Sequence, residues 1–223
     1  MKRDPDGPQP PPRRPRGRPR SFDRDAALER AMEVFWSKGY EATSLNDLTE
    51  AMGINPPSLY AAFGDKERLY LQAVERYLEW RRETIGRLLD EAPTAREAVE
   101  TVLRESVIEL SKSCHPRGCM LAMSAAACSG TSAGAQAELA ERRATARKRV
   151  KERIDRGIRE GDVPAGTDSG ALADFYTTLF TGISMQARDG ASRKTLLATV
   201  DAAMRAWPEG GKRDKKSRAQ MPA

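Results

Sequence analysis

The strongest constraint on the fold of this chain is the helical spacing of its apolar residues, which continues over nearly all of its length. Leu28, Met32 and Phe35, for example, lie about one turn apart, as on one face of a helix. Segments that alternate between apolar and polar residues, as strands do, are missing. Short stretches rich in glycine and proline interrupt the helical pattern. The sequence therefore predicts an all-α fold of about nine helices joined by short loops.

Charge and proline content divide the 223 residues into segments. Residues 1–20 are rich in proline and carry seven Lys or Arg against two Asp, which predicts a disordered basic arm. Residues 209–223 carry five Lys or Arg against two acidic residues, which predicts a disordered basic tail. Between them we expect a small three-helix domain over 21–66 and a larger helical domain over 67–208. The net charge of +6 therefore belongs to the two ends of the chain.

The sequence lacks the signals of a membrane or secreted protein. No apolar run approaches the ~18 residues of a membrane span, and the basic N-terminus lacks the apolar stretch of a secretory signal. Three cysteines are an odd number in a chain too large to depend on disulfides. We expect a cytoplasmic protein without a membrane partner.

The most specific local pattern is a short helix that ends at a glycine turn. Ser44 lies in an N-cap position with Asp47 three residues later, which is close to a capping box. Gly53 suits the positive φ of a tight turn. This pattern predicts a short second helix that stops at Gly53.

Two adjacent prolines, Pro56 and Pro57, are predicted to begin the third helix rather than to break one. Their missing N–H groups have no intrahelical partner in the first turn, and their fixed φ is already helical. Asn55 precedes them as the N-cap. Two short helices around a glycine turn form the helix-turn-helix layout, whose second helix enters the DNA major groove by its N-terminus.

In that pose the side chains near the two helix N-termini each have a chemical role on DNA. Proline rings offer apolar surface to thymine methyl groups, Asn46 can pair with adenine, and Ser58 can bond a base or a phosphate. Tyr60 and Lys66 can reach backbone phosphates. The candidates for DNA binding in this domain are Thr43, Ser44, Asn46, Asn55, Pro56, Pro57, Ser58, Tyr60 and Lys66.

The charge of this domain argues against a simple positive surface. Residues 21–66 contain four Lys or Arg and eight Asp or Glu. Affinity for DNA must therefore depend on the basic arm, on helix N-termini and on dimerisation. A helical hairpin within an ordinary bundle is the alternative interpretation of this segment.

Residues 17–79 resemble the DNA-binding domain of the TetR family of bacterial transcriptional regulators. The motifs that carry the resemblance are FWSKGYEATS, TEAMGI and LYAAFGDK. The resemblance implies a homodimer on a palindromic double-stranded operator, with the third helices in successive major grooves. It also implies a C-terminal helical domain that binds a small-molecule effector, moves the fourth helix and so releases a repressor from DNA.

The resemblance also implies roles for individual residues. It gives phosphate contacts to Thr43, Tyr60 and Lys66 and base-facing positions to Pro56, Pro57 and Ser58. Where many members carry a large aromatic residue and a histidine after the tyrosine, this chain has Ala61 and Ala62. Base contacts beyond Tyr60 are therefore in doubt.

The N-terminal arm carries a second resemblance. RPRGRPR, residues 14–20, is similar to the core of an AT-hook, in which arginines lie along a narrow A/T-rich minor groove. We expect Arg16, Arg18 and Arg20 to contact DNA rather than to belong to a plain flexible tail. The rival function is thus an architectural A/T-rich DNA-binding protein that works through this arm without an effector.

Two apolar stripes, Leu172–Ile183 and Leu196–Trp207, predict an antiparallel helix pair with faces wide enough for a dimeric four-helix bundle. Gly182 and Ser184 would allow close helix approach, and packing within one chain is the alternative.

A ligand pocket is expected between the long helices. Some of the following residues should line it, although all of them would serve equally well as core: Trp80, Ile85, Met120, Met123, Phe175, Tyr176 and Leu179.

The three cysteines lie near the one histidine of the chain, His115. Their spacing fits no zinc template, and no nucleophile constellation is evident, so we expect no metal, no cofactor and no enzyme activity. Cys119 and Cys128 are predicted to be buried, whereas Cys114 lies in a loop beside Arg117 and is the better candidate for a reactive thiol. Redox or electrophile sensing by these cysteines stays open.

Overall fold

A computed structural model describes residues 22–124 and 133–208. Over these ranges the chain forms nine helices and no strand, which confirms the predicted all-α fold. The helices are α1 (Arg24–Lys38), α2 (Leu45–Met52), α3 (Pro56–Phe63), α4 (Lys66–Glu91), α5 (Ala95–Leu110), α6 (Met120–Met123), α7 (Ala133–Glu160), α8 (Ser169–Arg188) and α9 (Arg193–Met204). The basic arm over 1–20, the basic tail over 209–223 and Cys128 lie outside the described residues.

The first three helices pack around a shared apolar core. Their buried side chains are Ala27, Leu28, Ala31, Phe35, Trp36, Leu48, Met52, Leu59 and Phe63. α3 contributes only Leu59 and Phe63, which lie one turn apart on the same face. Most of its other positions are therefore left at or near the surface.

The predicted ends of α2 and α3 are confirmed in detail. The Asp47 N–H donates to Ser44 Oγ over 3.0 Å and the Asp47 carboxylate accepts from the Ser44 N–H over 2.8 Å, which completes a capping box. Gly53 adopts the left-handed conformation, with φ of 67°. Asn55 Oδ1 accepts from the Ser58 N–H over 2.9 Å, and the two prolines occupy the first two helical positions.

We expect Asp47→Ala to lower the melting temperature at neutral pH, because it removes the carboxylate half of the capping box and the 2.7 Å contact with Lys38. Lys38, and then the Ser44 N–H, hold the pKa of Asp47 well below its usual range. A lowered native pKa stabilises the fold above the unfolded-state pKa of about 3.9, and this stabilisation is lost as the pH falls further. The deficit of the variant should therefore be constant near neutral pH and shrink below about pH 4.

Calorimetry of wild type and variant between neutral and acidic pH measures this difference. Glu50→Ala, which removes an exposed acid from the same helix, is the control and should change little at any pH. A deficit of Asp47→Ala that stays the same at acidic pH would contradict the assigned cause.

The C-terminal end of α1 is tied to the larger helical region. The Trp36 indole N–H donates to the Gly118 carbonyl over 2.8 Å, and its ring stacks on His115 with 4.6 Å between centroids. From α8, the Arg188 guanidinium donates to the carbonyls of Trp36, over 2.9 Å, and of Ser37. These contacts, between residues far apart in sequence, attach the three-helix unit to the larger helical region at the end of α1.

The larger region surrounds α4 and α5 with α7, α8 and α9. Buried side chains that join these helices include Leu103, Val107, Leu139, Ile154 and Tyr176. α8 packs inward through one face and leaves an opposite face in solvent.

The expectation for Ser184 was wrong. This residue is fully buried, and its hydroxyl accepts from the Cys119 N–H over 2.6 Å, so it faces α6 rather than a partner helix. Gly182 does lie on the outer side of α8, where a methyl group in place of its hydrogen would meet no atom within 4 Å.

Candidate DNA-binding surface and effector cavity

The tip of α3 faces solvent. Asn55, Pro56 and Pro57 are exposed, and the Tyr60 side chain, one turn further, is 49% exposed. Leu59 and Phe63 point into the core and hold the helix in place. The proline rings and the Tyr60 hydroxyl are therefore available at one end of a rigid helix, as a major-groove reader requires.

Thr43 differs from the other candidates because its side chain is only 1% exposed. Its hydroxyl donates to the Gly39 carbonyl over 2.6 Å and so satisfies a backbone acceptor at the end of α1. The side chain therefore does not join the exposed tip. Ser44 and Asn46, at the start of α2, are exposed beside it.

Lys66 is half-buried at the first position of α4, next to α3. Its ammonium lies 4.4 Å from the centre of the Tyr40 ring, a cation–π contact that fixes the charge near the helix N-terminus. Burial lowers the pKa of Lys66, and the neighbouring Glu41 opposes this effect. The arm residues Arg16, Arg18 and Arg20 lie outside the part of the chain that the structure describes.

A cavity of about 510 Å³ lies among α4, α5, α7 and α8. Its apolar wall includes Leu78, Ile85, Leu89, Val99, Val102, Leu103, Leu121, Val150, Tyr176 and Phe180. Charged side chains from α4 and α7 line it as well, among them Glu75, Arg81, Arg142 and Arg149. The volume and the mostly apolar wall are those of a small-molecule site.

Two family models match this chain. Residues 27–73 match the model for bacterial regulatory proteins of the tetR family, and residues 100–206 match the tetracyclin repressor-like C-terminal domain. The chain is also 34% identical over 195 residues to the HTH-type transcriptional repressor ComR of Escherichia coli, which covers 87% of this chain and 93% of that repressor. The chain belongs to the TetR family of bacterial transcriptional regulators. The resemblance found in the sequence is thereby confirmed.

Solved TetR-family structures agree with this assignment. A cysteine mutant of the regulator CifR, complexed with 26bp double-strand operator DNA, is 47% identical to this chain. The two superpose with a TM-score of 0.83 over 86% of this chain and 100% of that one. A TetR-family regulator from Cytophaga hutchinsonii shares the fold at 21% identity, with a TM-score of 0.73 over 85% of this chain and 96% of its own.

A helix that crosses a lipid bilayer must be both long and apolar. None of the described helices combines these two properties.

The cavity among α4, α5, α7 and α8 is lined by two of the predicted ligand-binding residues, Ile85 and Tyr176. The others lie elsewhere. Trp80 lines a separate groove with Trp36 and His115. Met120 is buried but does not line the cavity. Met123 and Leu179 are half-buried and do not line the cavity either. Phe175 is 46% exposed on the outer face of α8, because it lies about 100° around the helix from Tyr176.

Sequence reasoning missed four polar groups of the cavity that lie close together, Tyr77, Arg81, Ser106 and Cys119. Tyr77, Arg81 and Ile85 are spaced four residues apart on α4, so the helical period could have indicated that they share a face.

The cysteines occupy two different environments. Cys114 is exposed in the loop before α6, whereas Cys119 is buried and lines the cavity. Thiol sensing therefore stays a hypothesis with two distinct sites. Among residues 22–124 and 133–208, no three His, Cys, Asp or Glu side chains come together as a metal site would require.

Proposed function

We propose that this protein is a dimeric cytoplasmic repressor that binds a palindromic operator through α3 and leaves it when a small molecule enters the cavity. The observation that carries the proposal is the exposed proline tip of α3, held by a confirmed N-cap and a buried opposite face. The similarity to the repressor ComR and to CifR on operator DNA supports it. These relatives favour a regulator over an enzyme.

We infer that residues 21–66 form the DNA-binding domain and that residues 67–208 form the domain for effector binding and dimerisation, as the sequence predicts. The outer face of α8 supports dimerisation, because Phe175 and Met185 are 46% and 47% exposed there and Gly182 lies between them. Large exposed apolar side chains on one helix face are typical of a subunit interface. In such a dimer, α8 and α9 would pair with their copies across a two-fold axis.

A short series of contacts links the cavity to the DNA-binding domain. Cys119 lines the cavity, and the carbonyl of its neighbour Gly118 accepts the Trp36 indole hydrogen bond at the end of α1. α4 itself lines the cavity with its middle turns and begins beside α3 at Lys66. A ligand that displaces α4 or the segment around Cys119 would therefore move the recognition helix, and a dimer is sensitive to the spacing of its two tips.

The direct test is selection of bound sequences from a random pool of duplex DNA with the full-length protein. We expect a palindrome of two half-sites whose centres lie about 10 base pairs, or a multiple of that, apart. Recovery of DNA without any consensus sequence, or of a single half-site without its repeat, would contradict binding by a dimer to a palindrome.

The rival function is an architectural protein that binds A/T-rich DNA through its arm. We expect deletion of residues 1–20 to weaken operator binding and to make the negative slope of log K against log salt shallower by about 0.9 for each phosphate that the arm neutralises. Fluorescence anisotropy over a salt series measures this slope. A truncated protein that still selects the same palindrome supports the repressor, whereas one that loses all preference supports the architectural function. Equal slopes for both proteins would show that the arm does not contact phosphates.

A further inference from the structure

Four polar side chains of the effector cavity gather at one place on its wall, which we call the polar corner: Tyr77, Arg81, Ser106 and Cys119. Tyr77 and Arg81 come from successive turns of α4, Ser106 comes from α5, and Cys119 precedes α6. The corner is deep, since Ser106 is only 2% exposed and Tyr77 is fully buried. A ligand that fills the cavity must therefore meet these groups.

Arg81 differs from the other arginines that line the cavity. The others have carboxylate partners: Arg82 with Glu75 at 2.7 Å, Arg142 with Glu75 and Glu138, and Arg149 with Asp90 at 3.9 Å. Within the described ranges, Arg81 has no carboxylate within 4.0 Å, and its one hydrogen bond is a 3.2 Å donation from Nη2 to Ser106 Oγ. Its positive charge and most of its donors are therefore left for another group.

Tyr77 adds an unused donor to the same corner. The Cys119 thiol and the Met120 backbone lie near its hydroxyl, yet no described residue makes a hydrogen bond with it of normal distance and angle. Burial raises the pKa of Tyr77 well above its ordinary value, so the hydroxyl keeps its proton. A buried hydroxyl without a partner is unfavourable, and an acceptor brought in by a ligand would remove that penalty.

We propose that Arg81 and Tyr77 bind the carboxylate of an apolar organic acid, whose hydrocarbon body lies among Leu78, Val102 and Leu103. This inference rests on the proposed effector function and names the chemical class of its ligand. A carboxylate matches the planar guanidinium, which can donate through two nitrogens, and it also accepts from a hydroxyl. The remaining wall is predominantly apolar and can cover a hydrocarbon chain or ring.

Other ligand classes fit the polar corner less well. A cation would be repelled by Arg81. Of the three glutamates at the cavity, Glu75 and Glu138 already pair with arginines, and Glu141 is exposed to solvent. A neutral hydrocarbon would cover the Tyr77 hydroxyl and the remaining donors of Arg81 without supplying an acceptor, which is unfavourable. An apolar monoanion satisfies both groups at once.

The test measures binding of straight-chain acids from hexanoate to tetradecanoate, each beside its matched alcohol and its matched alkyltrimethylammonium, by titration calorimetry on the full-length protein. We expect at least one acid to bind about tenfold to a hundredfold more tightly than its alcohol, as for hydrogen bonds to a charged group. Arg81→Gln should reduce the affinity for that acid to the level of the alcohol. Arg87→Gln, which removes an exposed arginine of α4 that does not line the cavity, is the matched control and should leave the preference unchanged.

Tyr77→Phe separates binding from a structural role. Without ligand, the variant should melt about 2–4 °C higher than wild type, because it removes an unsatisfied buried hydroxyl. Its affinity for the acid should fall about tenfold. A purely structural tyrosine would change stability and binding in the same direction, so opposite signs identify the hydroxyl as a ligand contact.

The outcomes separate this inference from the proposed function. Alcohols or cations that bind as well as the acids, no binding by any acid, or equal effects of Arg81→Gln and Arg87→Gln would each overturn the carboxylate site. Binding of an acid to the selected operator complex without release of DNA would leave the site intact and contradict effector-controlled repression.

Discussion

Replacing Leu59 with alanine is expected to lower the free energy of unfolding by about 2–5 kcal/mol and to abolish operator binding. Leu59 is fully buried, and Leu59 and Phe63 are the two buried side chains of α3. A helix of eight residues is not stable by itself in water, so α3 depends on this packing. Urea denaturation and a gel-shift assay measure the two effects.

Tyr60→Ala is the matched control, because it removes a large side chain at the adjacent position of the same helix. Tyr60 is 49% exposed, so its removal should change the free energy of unfolding by no more than about 0.5 kcal/mol. Operator affinity should still fall, since alanine has no hydroxyl to donate to a phosphate. If the two variants were destabilised to a similar extent, the assignment of one face to the core and the other to DNA would be wrong.

The second large effect concerns the outer face of α8. We expect the double substitution Phe175→Glu and Met185→Glu to convert a dimer into a monomer, because two charges would be buried at the proposed interface without partners. A monomer binds one half-site at a time, so operator affinity should fall by about 10²–10⁴-fold. Light scattering after size-exclusion chromatography measures the mass, and fluorescence anisotropy measures the affinity.

Ala144→Glu provides the control for added charge, since it introduces the same side chain at an exposed position of α7. This variant should remain dimeric and bind operator as wild type does. A double variant of α8 that stays dimeric with unchanged melting temperature would move the interface away from this face.

The capping preferences of helix ends were sufficient to predict where α2 and α3 begin and where α2 ends. Ser44 and Asn55 accept hydrogen bonds from backbone N–H groups within a few residues, and Gly53 adopts the left-handed conformation of a helix end. Their roles could therefore be predicted from the neighbouring residues in the sequence. The solvent exposure of Pro57 follows in turn from the burial of Leu59, because the two residues lie about 200° apart around the helix.

Long-range placement could not be predicted in the same way. The periodicity of α8 shows that Phe175 and Tyr176 are apolar neighbours, but it does not say which of them meets the cavity and which meets solvent. Thr43 is small and polar enough for either environment, and its burial depends on a backbone carbonyl that needed a donor. The polar corner escaped prediction because it joins α4, α5 and the loop before α6, which only the tertiary fold brings together.

The indole of Trp36 gives this protein a built-in optical reporter. Its ring is stacked on an imidazole and its N–H is bound to a carbonyl beside the cavity, so its emission depends on the relative position of the two domains. Ultraviolet excitation of the unlabelled molecule should therefore follow the conformational change in real time, and a Trp36→Phe protein would supply the baseline to subtract.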